Sequence, residues 1–245
     1  MTGRWLFAFD FDYTIVDEDS DYYVFQQLGP EQQRKMRELY ATGAYTWTDL
    51  VDMLLGELHS NGVTEAQLRA LLPSIPFNPA MHTALELASA QGHEIVVISD
   101  ANTVYIDEIA VAKGFRHTIQ SIITNKGEFD ETGRLRITRH TTHPPHGCPR
   151  CAANLCKGKE LLEYVAARGP FDRIVYLGDG KNDFCPGTKL APSDLVLARR
   201  GRALEQMLLD PQHRAEVAAA VEFWDTSDDV LGAFTRLLGV SAEQS

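Results

Sequence analysis

The sequence has no stretch of about 18 consecutive apolar residues, so no membrane-spanning helix is expected. Its opening, MTGRWLFAFDFD, does not read as a secretory signal, because the apolar run is short and ends in acids rather than small residues. Cysteine is scarce, with four in the chain. Without a secretory signal these are expected as reduced thiols or metal ligands rather than disulfides. Basic residues are also in deficit, 23 against 34 acidic, a formal net charge of −11. That balance disfavours nucleic acid or an anionic membrane as the main partner, while a locally positive phosphate site remains compatible with it. Internal repeats and low-complexity tracts are absent. A cytoplasmic address is the default expectation.

What is present begins with apolar content, 44% of 245 residues, enough for a sizeable core. Four short apolar runs without polar alternation read as buried parallel strands. They are WLFAFD (5–10), EIVVIS (94–99), RIVYLGD (173–179) and DLVLA (194–198), with AAVEFW (219–224) a weaker fifth. The first three are each followed by polar residues and a helical pattern. That order predicts a doubly wound, Rossmann-like α/β parallel sheet with its ligand at the carboxyl ends of the strands. Residues 15–93 separate the first two strands, far more than the roughly 30 residues of a βαβ unit. The surplus reads as helices. DYYVFQQL stops at Gly29-Pro30, EQQRKMRELYATG stops at Gly43, TWTDLVDMLLGELHSNG is amphipathic, and TEAQLRALLP opens with a Thr64-x-x-Gln67 capping box. Asn78-Pro79 then caps the helix that returns to the sheet. The expected organisation is a helical cap, residues 18–77, inserted into an α/β core made of 1–17 and 78–245. Residues 125–150 show no periodicity that predicts an element.

In an extended segment, residues two apart face the same way. Asp10 and Asp12 therefore project together from the end of the first strand. Adjacent carboxylates repel, and one pKa rises unless a cation neutralises them. Mg²⁺, which takes oxygen ligands and keeps several waters, suits the pair; an Asp that simply caps the next helix is the plainer alternative. In YLGDGKND (176–183), Gly178 and Gly180 permit a tight turn. Asp179 ends a strand there and Asp183 follows one turn later, so both reach one cation or its waters, unless this is an ordinary Gly-Asp-Gly turn. In VISDAN (97–102), Ser99 ends a strand. Its hydroxyl and the free N–H groups of the following helix would cradle phosphate, and helix capping is the plainer reading. Lys157 heads the helix in LCKGKELLEYV, where a cation opposes the helix dipole unless a phosphate or the Asp10 carboxylate compensates. Lys159 is its rival, and a solvated surface lysine is the usual alternative.

In this order on strand ends, these motifs resemble the haloacid dehalogenase superfamily of phosphohydrolases, over essentially the whole chain. FDFDYTIVDEDSD, VISDAN, CPRCAANLCKGK and GDGKNDFCP resemble one branch, the phosphoethanolamine/phosphocholine phosphatases and pyridoxal phosphate phosphatase-like proteins. The last two motifs are specific to that branch. The resemblance implies a Mg²⁺-dependent phosphatase for a small phosphomonoester, phosphoethanolamine or phosphocholine first. Pyridoxal phosphate, thiamine phosphate and pyrophosphate are its alternatives. It implies Asp10 as the nucleophile that forms an aspartyl-phosphate and Asp12 as general acid, then base. Asp10, the backbone carbonyl of Asp12 and Asp179 would hold Mg²⁺, with Asp183 holding metal-bound water or Lys157. Ser99 and Lys157 would stabilise the transferring phosphoryl group. Asp21 and Asp100 match substrate-binding positions, where a carboxylate favours a cationic amine, and Asn182 is placed with them. For Asp21 a charge at the start of a cap helix is the alternative. Asp17, Glu18 and Asp19 are read as solvated loop or cap residues.

The chain departs from the branch at Tyr13, often smaller or charged, at Ala152, usually Pro, and in the longer segment HTTHPPHGC. Cys148, Cys151 and Cys156, with His140, His143 and His146 upstream, meet the ligand count for a structural Zn²⁺, though the resemblance implies no zinc. Other readings are weaker. A phosphonatase needs a Schiff-base lysine in the cap, and Lys35 is the only lysine there. A phosphomutase differs in its product. A non-catalytic zinc/cysteine-cluster binding module would lack the nucleophile. A thiol redox protein would place Cys148-x-x-Cys151 after a strand in a βαβ pattern. The cap is expected to open and close during turnover.

Overall fold

The unbroken apolar runs become the middle of a sheet. The computed structural model describes residues 3–142 and 144–240. In chain order its elements are β1 (Trp5–Phe9), α1 (Ser20–Leu28), α2 (Pro30–Ala41), α3 (Trp47–Ser60), α4 (Glu65–Leu71), α5 (Pro79–Ala90), β2 (Glu94–Asn102), α6 (Thr103–Ala112), β3 (Ser121–Phe129), β4 (Leu135–Thr138), α7 (Lys157–Arg168), β5 (Arg173–Gly178), α8 (Phe184–Gly187), β6 (Leu195–Arg199), α9 (Ala203–Leu209), α10 (Pro211–Arg214), β7 (Ala220–Trp224) and α11 (Ser227–Leu238).

The strands form one sheet in the order β4-β3-β2-β1-β5-β6-β7. All neighbours are parallel except β4, which runs antiparallel to β3. Along β1, Phe7 and Phe9 pack with α5, α6 and α11, whereas Leu6 and Ala8 pack with α7, α8 and α9. Both faces are covered, which is why the strand reads as continuously apolar. Each such fully buried large side chain contributes roughly 1.5–3 kcal/mol. The chain leaves β1 towards β2 and leaves β5 towards β6. The order therefore reverses between β1 and β5, the place where doubly wound sheets open a ligand crevice.

Helices α1 to α4 lie between β1 and α5 in the chain. The capping box forms as read, with Thr64 and Gln67 exchanging hydrogen bonds at the start of α4. Asn78 caps α5, whose first residue is Pro79. The strands β3 and β4 are a departure, since residues 125–150 predict no element. Half of β3 is polar (TNKGE), and β4 is a four-residue edge strand. Leu135 and Ile137 alternate inward on β4, too briefly to register as a period. Tertiary contacts hold β4 in place through Asp52 of α3: Ile137 N–H donates to Asp52 Oδ1 at 2.9 Å, and Arg134, just before the strand, pairs with Asp52 at 3.0 Å. Among the described residues no helix is long and apolar enough to cross a membrane.

Candidate active site

Asp10 follows β1 directly, and its N–H still donates to Leu177 O of β5 at 2.9 Å. The two strand ends are thereby held side by side. Asp179 follows β5, and Asp183 closes the turn after it. Carboxylate oxygens of Asp10, Asp179 and Asp183 lie within 4.8 Å of one another. Asp183 is fully buried. Its Oδ1 accepts from Lys157 Nζ at 2.8 Å and Tyr176 OH at 2.6 Å, and its Oδ2 from the N–H groups of Asp179 and Gly180 at 3.0 and 2.9 Å. Gly178 makes this turn workable, because a Cβ there would stand 2.4 Å from Asp183 Cγ. Lys157 reaches from the head of α7, also fully buried, to Asp10 Oδ2 at 2.6 Å.

Burial, then the charge of Asp183, raises the Asp10 carboxyl well above its usual range, even against Lys157. Burial and Asp183 push Asp179 up to about 7. Burial opposes the charge on Lys157, but Asp10, Asp183 and Asp100 outweigh it and hold the ammonium above its ordinary value. One ammonium among these acids leaves negative charge uncompensated. An oxygen-only donor set with surplus negative charge fits Mg²⁺. The Asp12 carboxyl stands apart from the trio, its Oδ1 accepting from Ser20 N–H at 2.9 Å. Burial, then Asp19, Asp21 and Asp10, raises it well above the usual value, so it keeps its proton further up the pH scale.

These groups open into a cleft of about 210 Å³ that also reaches Tyr13, Asp19, Asp21, Trp47, Ser99, Asp100 and Asn182. Asp100 is held by Asn182 Nδ2 at 2.5 Å and Asn154 Nδ2 at 2.8 Å. Asp21, in the first turn of α1, is only 4% exposed. Its Oδ2 accepts from Trp47 Nε1 at 2.7 Å, while Oδ1 is buried without a partner. Burial, then Asp19, pushes its pKa up to about 8.

A family model described as "Putative Phosphatase" matches residues 5–238. The chain belongs to this phosphatase family. The family lies within the haloacid dehalogenase superfamily and makes the protein a phosphomonoester hydrolase. The phosphatase is 36% identical over 238 residues to the phosphoethanolamine/phosphocholine phosphatase of Homo sapiens, covering 93% of this chain and 86% of that protein. It is 33% identical over 242 residues to a pyridoxal phosphate phosphatase of Bos taurus, covering 95% and 98%. It is also 33% identical over 228 residues to inorganic pyrophosphatase 2 of Arabidopsis thaliana, covering 91% and 80%. A substrate-bound phosphoserine phosphatase shares the fold with a TM-score of 0.62 at 15% identity, over 95% of this chain and 99% of that one.

Two details of the phosphatase differ from the sequence reading. First, β2 runs past Ser99 to Asn102 with an irregular register, and Asn102 Oδ1 caps α6 by accepting from Tyr105 N–H at 3.0 Å. The helix N–H groups expected directly after Ser99 therefore begin further on. Ser99 still faces the cleft, its Oγ accepting from Ala101 N–H at 3.1 Å. Second, Asp19 is half-buried at the cleft rather than a freely solvated loop residue. It caps α1 through Tyr22 N–H at 2.9 Å and lines the cleft, and burial pushes it up to about 6. Asp17 instead pairs with Arg199 at 3.2 Å. Of the two rival lysines it is Lys157 that meets the carboxylates, while Lys159 points away, 3.5 Å from Glu163 on its own helix.

Tyr13, where the branch pattern departs, takes a φ of 53°, strained for a non-glycine residue, with Arg202 stacked 3.5 Å from its ring centroid. A larger groove of about 730 Å³ includes Lys35, but Glu57 pairs with that lysine at 2.8 Å and raises its pKa. A Schiff-base amine needs the opposite shift. Trp47 and Asn154 were not legible as site residues. Asn154 lies inside the CPRCAANLCK motif, whereas nothing local marks Trp47. Behind the cleft, the sulfur atoms of Cys148, Cys151, Cys156 and Cys185 lie within 4.8 Å of one another. His140 pairs with Glu160 at 3.2 Å instead, and His146 bonds the backbone of its own loop at Cys148 and Ala152. His143 lies outside the described residues.

Proposed function

We propose that this phosphatase hydrolyses a small phosphomonoester with a cationic leaving group, of the phosphoethanolamine or phosphocholine type, through an aspartyl-phosphate on Asp10. The observation that carries the reading is Asp21, a buried cleft carboxyl with a partnerless oxygen beside Trp47. An ammonium group would favour the ionised form that burial disfavours, and the indole would offer a cation–π face. The cleft, about 210 Å³, is below the roughly 300–1,000 Å³ of sites for drug-sized ligands. Pyrophosphate would add negative charge to a cleft already lined by Asp10, Asp12, Asp19, Asp21, Asp100 and Asp179. Pyridoxal phosphate is the second reading, supported by the 33% identical bovine relative and by the Tyr13–Arg202 stack as a platform for a flat ring.

In this reading the Asp10 carboxylate attacks phosphorus and the ester P–O bond breaks. Asp12 delivers its proton to the departing oxygen. Deprotonated, Asp12 then takes a proton from water, whose oxygen attacks the aspartyl-phosphate and releases phosphate and Asp10. Lys157 works against the burial that raises the Asp10 carboxyl and, with Ser99, stabilises the phosphoryl oxygens. Asp10, the Asp12 carbonyl and Asp179 would hold Mg²⁺, with Asp183 orienting Lys157 and the turn. When bound, the ion neutralises charge on the transferring group. Asp100, set by Asn182, reads the leaving group together with Asp21. Residues 18–77 act as a cap over the 1–17 and 78–245 core, so closure carries Asp21 and Trp47 onto the nucleophile.

The test is hydrolysis of phosphoethanolamine, phosphocholine, pyridoxal phosphate, thiamine phosphate and pyrophosphate, each with Mg²⁺ and with EDTA. The highest kcat/KM for the first two, lost in EDTA, is the expected result. A preference for pyrophosphate, or turnover indifferent to EDTA, overturns it.

A further inference from the structure

We propose that Cys148, Cys151, Cys156 and Cys185 form a closed four-thiolate site for a structural Zn²⁺ ion that staples the loop before α7 to the segments carrying Lys157 and Asp183. The sulfur separations are 3.7 Å for Cys148–Cys151, 3.8 Å for Cys148–Cys185 and 3.9 Å for Cys156–Cys185. A tetrahedral ion with Zn–S of about 2.3 Å sets its sulfur atoms about 3.8 Å apart. The donors arrive from three places: a CxxC turn, the cap residue of α7, and α8. Such convergence on one point, with only soft donors, selects zinc over the hard cations that the aspartates suit.

The surroundings fit a thiolate cluster. The backbone N–H groups of the first turn of α7 begin beside the cluster, since Cys156 is the residue that precedes the helix. These are donors that a helix start leaves without intrahelical partners, and its dipole favours negative charge. Gly158 allows the close approach of Cys185, since a Cβ there would stand 2.7 Å from Cys185 Sγ. The loop also needs a tie. From 139 to 156 the described residues contain neither helix nor strand, and loops of that length inside a compact fold are uncommon without one.

The ion would not touch substrate. Cys156 precedes Lys157, and Cys185 follows Asp183 by two positions, so the staple holds the 2.8 Å Lys157–Asp183 pair from behind. The site stands independently of the substrate reading and should persist in protein made inactive at Asp10.

The test uses untagged full-length protein purified under reducing conditions without added zinc. Elemental analysis should find one zinc per chain. It should survive gel filtration that removes magnesium and be released by a thiol-blocking mercurial, with four thiols titrating. Cobalt(II) exchanged into the protein should show the visible bands and charge transfer of a tetrahedral thiolate site. Cys148→Ser should lose the cobalt spectrum and lower Tm, whereas Asp10→Asn should keep both. If Cys148→Ser does not fold, the wild-type zinc content and cobalt spectrum decide alone. Zinc far below one per chain with no tetrahedral cobalt spectrum overturns the proposal, as does an intact mass showing disulfides in freshly purified protein.

Discussion

The two ligand clusters of this phosphatase adjoin along the chain and differ in kind. Asp10, Asp179 and Asp183 offer hard oxygen donors where β1 and β5 end, and Asp10 and Asp179 open to a cleft. The four cysteines offer soft donors in a closed set behind α7. An incomplete shell leaves positions for water and substrate and so suits chemistry; a complete one leaves none and so suits structure. The clusters meet at Cys156-Lys157 and at Asp183-x-Cys185, so a single pair of segments serves both.

The largest expected break in this contrast comes from Asp10→Asn. It should lower kcat on the order of 10⁴-fold or more, as loss of a nucleophile does elsewhere. Zinc content and Tm should hold, since the change relieves like-charge crowding against Asp179 and Asp183. Steady turnover near the wild-type rate would remove the oxygen cluster from the chemistry. Next comes the junction. Lys157→Met strands Asp10 and Asp183 as buried acids and should lose about 3–5 kcal/mol in urea unfolding at pH 8, whereas Lys159→Ala should change little. Similar losses at both lysines would mean that burial of the Lys157 pair carries no special weight.

The smallest effect lies at the rim of the oxygen cluster. Asp21→Asn should raise KM for phosphoethanolamine about tenfold, equivalent to about 1.4 kcal/mol, and leave p-nitrophenyl phosphate unaffected. Its pH signature has a definite sign. The folded carboxyl is raised from 3.8 to about 8, so between those values the folded chain keeps a proton that the unfolded chain has released. Its contribution to stability is therefore full below 3.8 and is lost as pH rises through about 8. Denaturation midpoints of Asp21→Asn should fall less steeply across that window. Parallel curves for the two proteins would locate the titration at another residue.

Much of this was legible along the chain. The strands at 5–10, 94–99, 173–179 and 194–198 announced themselves because both faces of a central parallel sheet are buried. Asp10 and Asp179 were readable because they follow such runs directly, and Asn78-Pro79 because a helix start needs an acceptor and tolerates a missing N–H. The edge pair β3 and β4 was not readable, because its order comes from Asp52 and its neighbours on α3. The place of Asp19 at the cleft was not readable, because its partial burial depends on residues packed around that cleft.

Local spacing was thus sufficient to mark the strand-end carboxylates, since Asp10 and Asp179 follow apolar runs and Asp183 stands one turn on. But β1 ends at Phe9, and the period of two does not bring the Asp12 carboxyl to that trio. Convergence over distance was not legible. That Lys157 rather than Lys159 meets Asp10, that Trp47 meets Asp21, and that Cys185 rather than a histidine completes the thiol set follow from how α7, α3 and α8 pack. Such packing maximises burial over the whole chain and leaves no pattern at any one of those residues.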